Sequence, residues 1–184
     1  YFYYDCCLLS KMALVLGEKE DAAFYQDEAE RIREAFLQTY YNREGKYICN
    51  NSQAGNTIAL YMGLVPEEDR EAVLKNLVRD VVEINDTHLT TGNLCSRYIV
   101  EVLLENGYQD VAYELLTQTT YPSWGYMIEN GATTIWERWE KVTEECVMSR
   151  MASYNHPMYG AVGVCFYKHF AGIRPDGSKP GFKK

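Results

Sequence analysis

The sequence predicts an all-α fold in two layers, an inner and an outer ring of helices, and three observations carry that prediction. Strongly apolar helical stretches recur at Tyr4 to Leu16, Gln53 to Gly63, Asn93 to Leu104 and Ser153 to Phe170. Between them lie segments with one apolar stripe at three- and four-residue spacing, the mark of a surface helix. Glycines (Gly17, Gly107 and Gly172) then stop the helices where a left-handed C-terminal residue is wanted. A plain antiparallel bundle would give every helix a similar stripe, so this alternation favours two-layer packing.

In chain order, Tyr4 to Leu16 reads as a buried helix. Ala22, Tyr25, Ala29, Ile32 and Phe36 then make an amphipathic outer one. After a turn at Asn42 to Gly45, Gln53 to Gly63 is the second apolar helix. Pro66 followed by Glu67, Glu68 and Asp69 marks a helix start, with acids at the positive end of the dipole. Leu74, Leu77, Val78 and Val81 give that helix its stripe. The third inner helix runs from Asn93 to Leu104, and Tyr108 to Leu116 carries a narrower stripe. The last inner helix, Ser153 to Phe170, has Gly160 and Gly163 for close packing.

Composition excludes several classes. A net charge of −8 with no Lys/Arg cluster excludes a nucleic-acid partner and an anionic membrane surface. No apolar run is long enough to span a bilayer. The six cysteines (Cys6, Cys7, Cys49, Cys95, Cys146 and Cys165) lack C-x-x-C and zinc-ligand spacing, so reduced thiols in a cytoplasmic protein are expected. No metal or cofactor is expected, because phosphate-loop and dinucleotide fingerprints are absent and His88, His156 and His169 are isolated. Sixteen Tyr and three Trp suit a sugar-binding cleft, and suit a Tyr-rich core equally.

One stretch breaks the helical pattern. Asn130-Gly131, flanked by β-prone residues, predicts a short β-hairpin near 125–138. If Thr133 to Trp139 is extended, Ile135, Glu137 and Trp139 point one way, and Trp136 and Arg138 the other. Two readings of Glu137 stand side by side. It is a general base in an aromatic cleft, with Arg138 favouring its charged form, or it is one half of an Arg-Glu ion pair under a Trp-packed surface. His156 reads as a hydrogen-bonded structural residue or, beside Tyr154 and Asn155, as a sugar-binding one, and the second reading is favoured. Asp86, His88, Thr90 and Thr91, like Asn50, Asn51, Gln53 and Asn56, fit either a site or helix capping. All these groups precede an inner helix, so a two-ring barrel would gather them at one rim.

The blocks Pro122 to Ile128 and Gly131 to Trp139 resemble the bacterial α-L-rhamnosidases of glycoside hydrolase family 78. The resemblance extends to His88 to Gly92, Glu105 to Gly107, Ser153 to His156, Gly160 to Val162 and Ala171 to Ile173. It implies part of an (α/α)6 barrel and removal of terminal α-L-rhamnose with inversion. Glu137 takes the general-base role, and His156, Trp136, Trp139, Arg138, Trp124 and Asn155 are the expected substrate-binding residues. In this reading residues 1–173 are the C-terminal half of the catalytic barrel and 174–184 a linker towards a further domain.

The family's general acid belongs to an acidic block that this sequence lacks, so the chain alone is expected to be inactive. An open half-barrel should expose inner-helix faces and self-associate. The alternatives are another (α/α)6 glycosidase, a polysaccharide lyase, or a non-catalytic carbohydrate-binding helical fragment.

Overall fold

The computed structural model describes residues 1–141 and 153–175. Cys146, the connection that follows Lys141, and most of the expected 174–184 linker lie outside the described residues. The chain divides into two compact units, Tyr1–Asn76 and Leu77–Lys184.

The first unit opens with a helical hairpin, α1 (Phe2–Leu16) and α2 (Lys19–Tyr40). Gly17 takes the left-handed conformation at φ 84°, and the Glu18 N–H returns to the Ala13 carbonyl at 2.9 Å, so two residues suffice to reverse the chain. Small residues let the helices approach: Ala22 and Ala29 of α2 are buried, and the Ser10 hydroxyl donates to the Ala22 carbonyl at 2.9 Å. The apolar pattern of α1 predicts burial all round, but only Cys6, Ser10 and Ala13 are buried. Leu9, Met12, Val15 and Leu16 stay exposed, because within this unit α2 covers one face only.

Two short strands, β1 (Tyr41–Asn42) and β2 (Tyr47–Ile48), form an antiparallel hairpin. Helix α3 (Gln53–Met62) follows; the Ser52 hydroxyl caps it by accepting the Gly55 N–H at 3.2 Å, and Gly63 closes it at φ 72°. Six of its ten residues are buried, among them Gln53, Asn56 and Thr57. Asn56 accepts the Ile48 N–H at 2.9 Å and donates to Asn51 at 2.8 Å, so the Asn51 and Asn56 side chains wire the hairpin to the helix start. A 3-10 turn at Glu67–Asp69 leads into α4 (Arg70–Arg79), in which the boundary between the units falls.

In the second unit α4 continues as a π turn, Asp80–Ile84. Helix α5 (Ser96–Glu105) buries seven of its ten residues, whereas α6 (Gln109–Thr117) buries only Ala112 and Leu115. That contrast is the inner and outer character the sequence predicts. The expected start of α5 at Asn93 moves to Ser96, because residues 93–95 form a turn.

The hairpin expected near 125–138 is not there. Trp124–Glu129 is a helix, α7, capped by Ser123, whose hydroxyl accepts the Tyr126 N–H at 2.9 Å. The two-residue hairpin turn favoured by Asn-Gly needs positive φ at both residues, and Asn130 sits at φ −89° with only Gly131 left-handed at 88°. Asn130-Gly131 therefore ends a helix: the Gly131 N–H reaches the Ile128 carbonyl at 3.0 Å and the Ala132 N–H reaches Met127 at 2.9 Å.

The last helical stretch begins at Tyr159 rather than Ser153, as a 3-10 turn (Tyr159–Val162), a short α8 (Gly163–Cys165) and a π turn (Phe166–Phe170). Pro157 accounts for the delay, since a residue before proline is driven out of the helical region. The unit's core gathers Ile99, Val100 and Leu103 of α5 with Ala112, Leu115, Met127 and Cys165, all at most 1% exposed. No described helix is long and apolar enough to cross a membrane.

Candidate active site

The segment carrying Glu137 is irregular, yet it is held at both ends and along its length. The Glu137 N–H donates to the Ser153 carbonyl at 2.9 Å, and the His156 N–H donates to the Ile135 carbonyl at 2.9 Å. The Thr134 hydroxyl adds a bond to the Tyr154 carbonyl, and the Trp136 and Tyr154 rings meet edge to face at 5.5 Å. Residues 134–137 and 153–156 thus lie side by side, which brings the Trp-Glu-Arg-Trp block against the Ser-Tyr-Asn-His block.

Three further bonds seat this pair on the rest of the unit. The Trp139 indole N–H donates to the buried Thr91 carbonyl at 2.8 Å, and Trp124 donates to the Tyr159 carbonyl at 3.1 Å. The Asn93 side-chain amide lies 3.4 Å from the Glu137 carbonyl oxygen. Trp139 is sandwiched by aromatic neighbours, with Trp124 edge-on at 5.1 Å and Tyr159 at 3.9 Å.

Glu137 itself is half-buried, and its Oε2 accepts the backbone N–H of Ser153 at 2.7 Å. Arg138 turns away and pairs with Glu140 at 3.2 Å. The Arg-Glu pair that competes with the base reading therefore forms with a different acid. His156 accepts the Met158 N–H on Nδ1 at 3.4 Å, which leaves the proton of the neutral ring on Nε2 as a donor. Asn155 is exposed beside it.

The sequence assigns sugar contact to all three tryptophans, and the structure limits that role. Trp124, Trp136 and Trp139 are 9%, 4% and 6% exposed, too enclosed to present a free ring face. Their rings pack into the interior of the unit. Of the three, Trp139 also lines an open cavity of about 360 Å³ with Thr90, Thr91, Tyr121, Arg138, Glu140 and Tyr159. Glu137, Asn155 and His156 do not line it. Burial pushes the Tyr159 hydroxyl well above the ordinary phenol range, and the nearby Glu140 adds to the shift.

The segment before α5 holds the other ambiguous group by local bonds. His88 Nδ1 lies 2.6 Å from the Asp86 carbonyl, and its Nε2 lies 2.7 Å from the Thr120 hydroxyl, so this ring staples two loops together. Thr91 meets the Ser96 hydroxyl at 2.9 Å at the start of α5. Asp86 and Thr87 both adopt positive φ, 48° and 53°, a strained pair for non-glycine residues.

Sequence reasoning missed the parts played by Ser153, Asn93 and Thr120. Ser153 had a local signal, since a Ser two residues before Asn155 can close a turn. The other two act across long sequence separations and leave no local mark.

A half-buried carboxylate thus lies in a unit of alternating helices, in a segment paired with exposed polar side chains. The family model of the bacterial α-L-rhamnosidase six-hairpin glycosidase domain matches residues 1–170. An α-L-rhamnosidase of Streptomyces avermitilis is 42% identical over 95% of this chain and 17% of its own length. The solved α-L-rhamnosidase from Dictyoglumus thermophilum superposes with a TM-score of 0.87 at 45% identity, over 95% of this chain and 19% of that one. The Streptomyces avermitilis enzyme complexed with L-rhamnose gives 0.84 at 41% identity, over 94% and 17%.

The chain belongs to the bacterial α-L-rhamnosidase family of six-hairpin glycosidases. It spans roughly a fifth of the length of the relatives it matches.

Proposed function

We propose that this chain supplies the base side of the active site of an inverting α-L-rhamnosidase, working within a polypeptide of its relatives' length. The observation that carries the reading is the state of Glu137. One carboxylate oxygen is fixed by the Ser153 N–H, while the neighbouring cation Arg138 is committed to Glu140. A carboxylate held by one oxygen can take a proton from water on the other, as a general base does.

In the inverting mechanism that water attacks the anomeric carbon on the face opposite the leaving group, with base and acid roughly 6.5–9.5 Å apart to admit it. His156, through Nε2, and Asn155 belong to the segment paired with that of Glu137 and would hold sugar hydroxyls. Trp139 and Arg138 would act from the adjoining cavity, and Trp124 and Trp136 would support the unit's interior.

Glu137 is the one acid in the paired segments 134–137 and 153–156, and the partner acid is proposed to come from elsewhere in the longer polypeptide. On this reading the chain alone does not turn over p-nitrophenyl α-L-rhamnoside.

The test is stereochemical. Proton NMR of the first sugar released from an α-L-rhamnoside by the full-length protein should show the β anomer before mutarotation. Release of the α anomer would exclude inversion. Equal turnover of glucosides or uronides would favour another glycosidase or a lyase.

A further inference from the structure

Ser153 offers Glu137 its backbone N–H, but its side chain does something separate. The Ser153 hydroxyl oxygen accepts the N–H of Asn155 at 3.0 Å, closing a tight turn between the residue that holds the carboxylate and the residues beside the site. The same residue's carbonyl accepts the Glu137 N–H at 2.9 Å. Three polar groups of one exposed serine therefore set the geometry: carbonyl to the Glu137 backbone, N–H to the Glu137 carboxylate, and hydroxyl to its own turn.

From this geometry we infer that Ser153 is a positioning residue for the base, acting through the turn its hydroxyl closes. The inference rests on the reading of Glu137 as general base. Ser153 Oγ is bonded to Asn155 and not to Glu137, so its effect is indirect. It holds the backbone from Ser153 to Asn155 in one conformation and so anchors Ser153, whose N–H fixes one oxygen of the carboxylate. The other oxygen is then held at a constant place for the attacking water.

Without the hydroxyl, the Asn155 N–H turns to solvent and the turn is free to widen. The carboxylate then spends part of its time misdirected. Displacements of about 1 Å at a reacting group cost up to roughly 10²-fold in rate. The loss falls mainly on turnover, and Asn155, which sits in the same turn, adds a smaller loss of sugar binding.

The experiment compares Ser153→Ala, Ser153→Thr and Glu137→Gln in the full-length protein, with kcat and KM measured separately on p-nitrophenyl α-L-rhamnoside. The expected result is a fall in kcat of about ten- to a hundredfold for Ser153→Ala, with a smaller rise in KM and the melting temperature unchanged. Ser153→Thr, which keeps the hydroxyl, should restore most of the turnover.

A Ser153→Ala enzyme with wild-type kcat would overturn the inference, as would a loss confined to KM or a threonine variant as impaired as alanine. Glu137→Gln separates the two levels. If it abolishes turnover while Ser153→Ala does not matter, only the positioning role fails. If Glu137→Gln remains active, the base reading falls and the positioning role falls with it.

Discussion

Glu137 and Ser153 are joined twice: the Glu137 N–H donates to the Ser153 carbonyl at 2.9 Å, and the Ser153 N–H donates to the Glu137 carboxylate at 2.7 Å. They lie sixteen positions apart in sequence. The paired bonds place the acid against the Ser-Tyr-Asn-His block, and much of the site's stability depends on what holds that pair in place.

Trp139 is the first such support. Replacing it with Phe keeps most of the ring packing against Trp124 and Tyr159 but removes the indole N–H that satisfies the buried Thr91 carbonyl. The Thr91 carbonyl then keeps only the Ser96 hydroxyl at 3.4 Å, so the loss is that of one hydrogen bond, about 0.5–1.5 kcal/mol. Urea denaturation of Trp139→Phe should show that loss at unchanged m-value, and a stability equal to wild type would mean that the bond is dispensable.

Gly125 is the second. A Cβ built there would lie 2.3 Å from the Gln118 carbonyl oxygen and 3.0 Å from the Thr119 Cα, both backbone atoms that cannot swing away. Gly125→Ala should therefore destabilise by about 1–3 kcal/mol, as overpacking does, although alanine is the better helix former. Thermal unfolding decides the sign.

The buried Glu101 gives a charge test. Lys168 pairs with Glu101 and, at 2.6 Å, with Glu105. Burial pulls the lysine's pKa down, but the two carboxylates outweigh that and hold it above its usual value. Lys168→Met leaves Glu101 with only Arg97, 4.0 Å away, and losing a hydrogen bond to a charged group costs about 1.5–3 kcal/mol. The low end applies because Lys168 is 29% exposed on its side chain. Adding Glu101→Gln should recover part of the loss, and a double-mutant cycle with no coupling would refute the pairing.

Cysteine reactivity follows burial. Burial pushes the Cys165 thiol up to about 11, so at pH 8 it is protonated as well as enclosed. Cys49 is exposed. Iodoacetamide labelling of the native chain with peptide mapping should modify Cys49 and spare Cys6, Cys95 and Cys165 until denaturant is added.

Most helices were legible from local signals. Gly17 and Gly107 each mark a helix end that the structure places there, and the contrast in burial between α5 and α6 matches their apolar patterns. Asn130-Gly131 misled because a left-handed glycine serves a helix end as well as a hairpin turn, and only the φ of Asn130 separates them.

The strict alternation expected along Thr133 to Trp139 fails for a related reason. Trp136 and Trp139, three apart, are both buried, since the segment bends and pairs with 153–156 instead of running as a regular strand. Glu137 and His156 were legible as residues, whereas the bond from Ser153 that orients the acid depends on a long-range pairing with no local pattern.

The central claim is that Glu137 is the base, and the most direct measurement is kcat/KM of Glu137→Gln in the full-length protein. The amide keeps the shape and can still meet the Ser153 N–H through its oxygen, but it cannot take a proton. The account predicts a fall of about 10²–10⁴-fold, the usual contribution of a general base, with the fold and melting temperature preserved. Activity within a few-fold of wild type would contradict it.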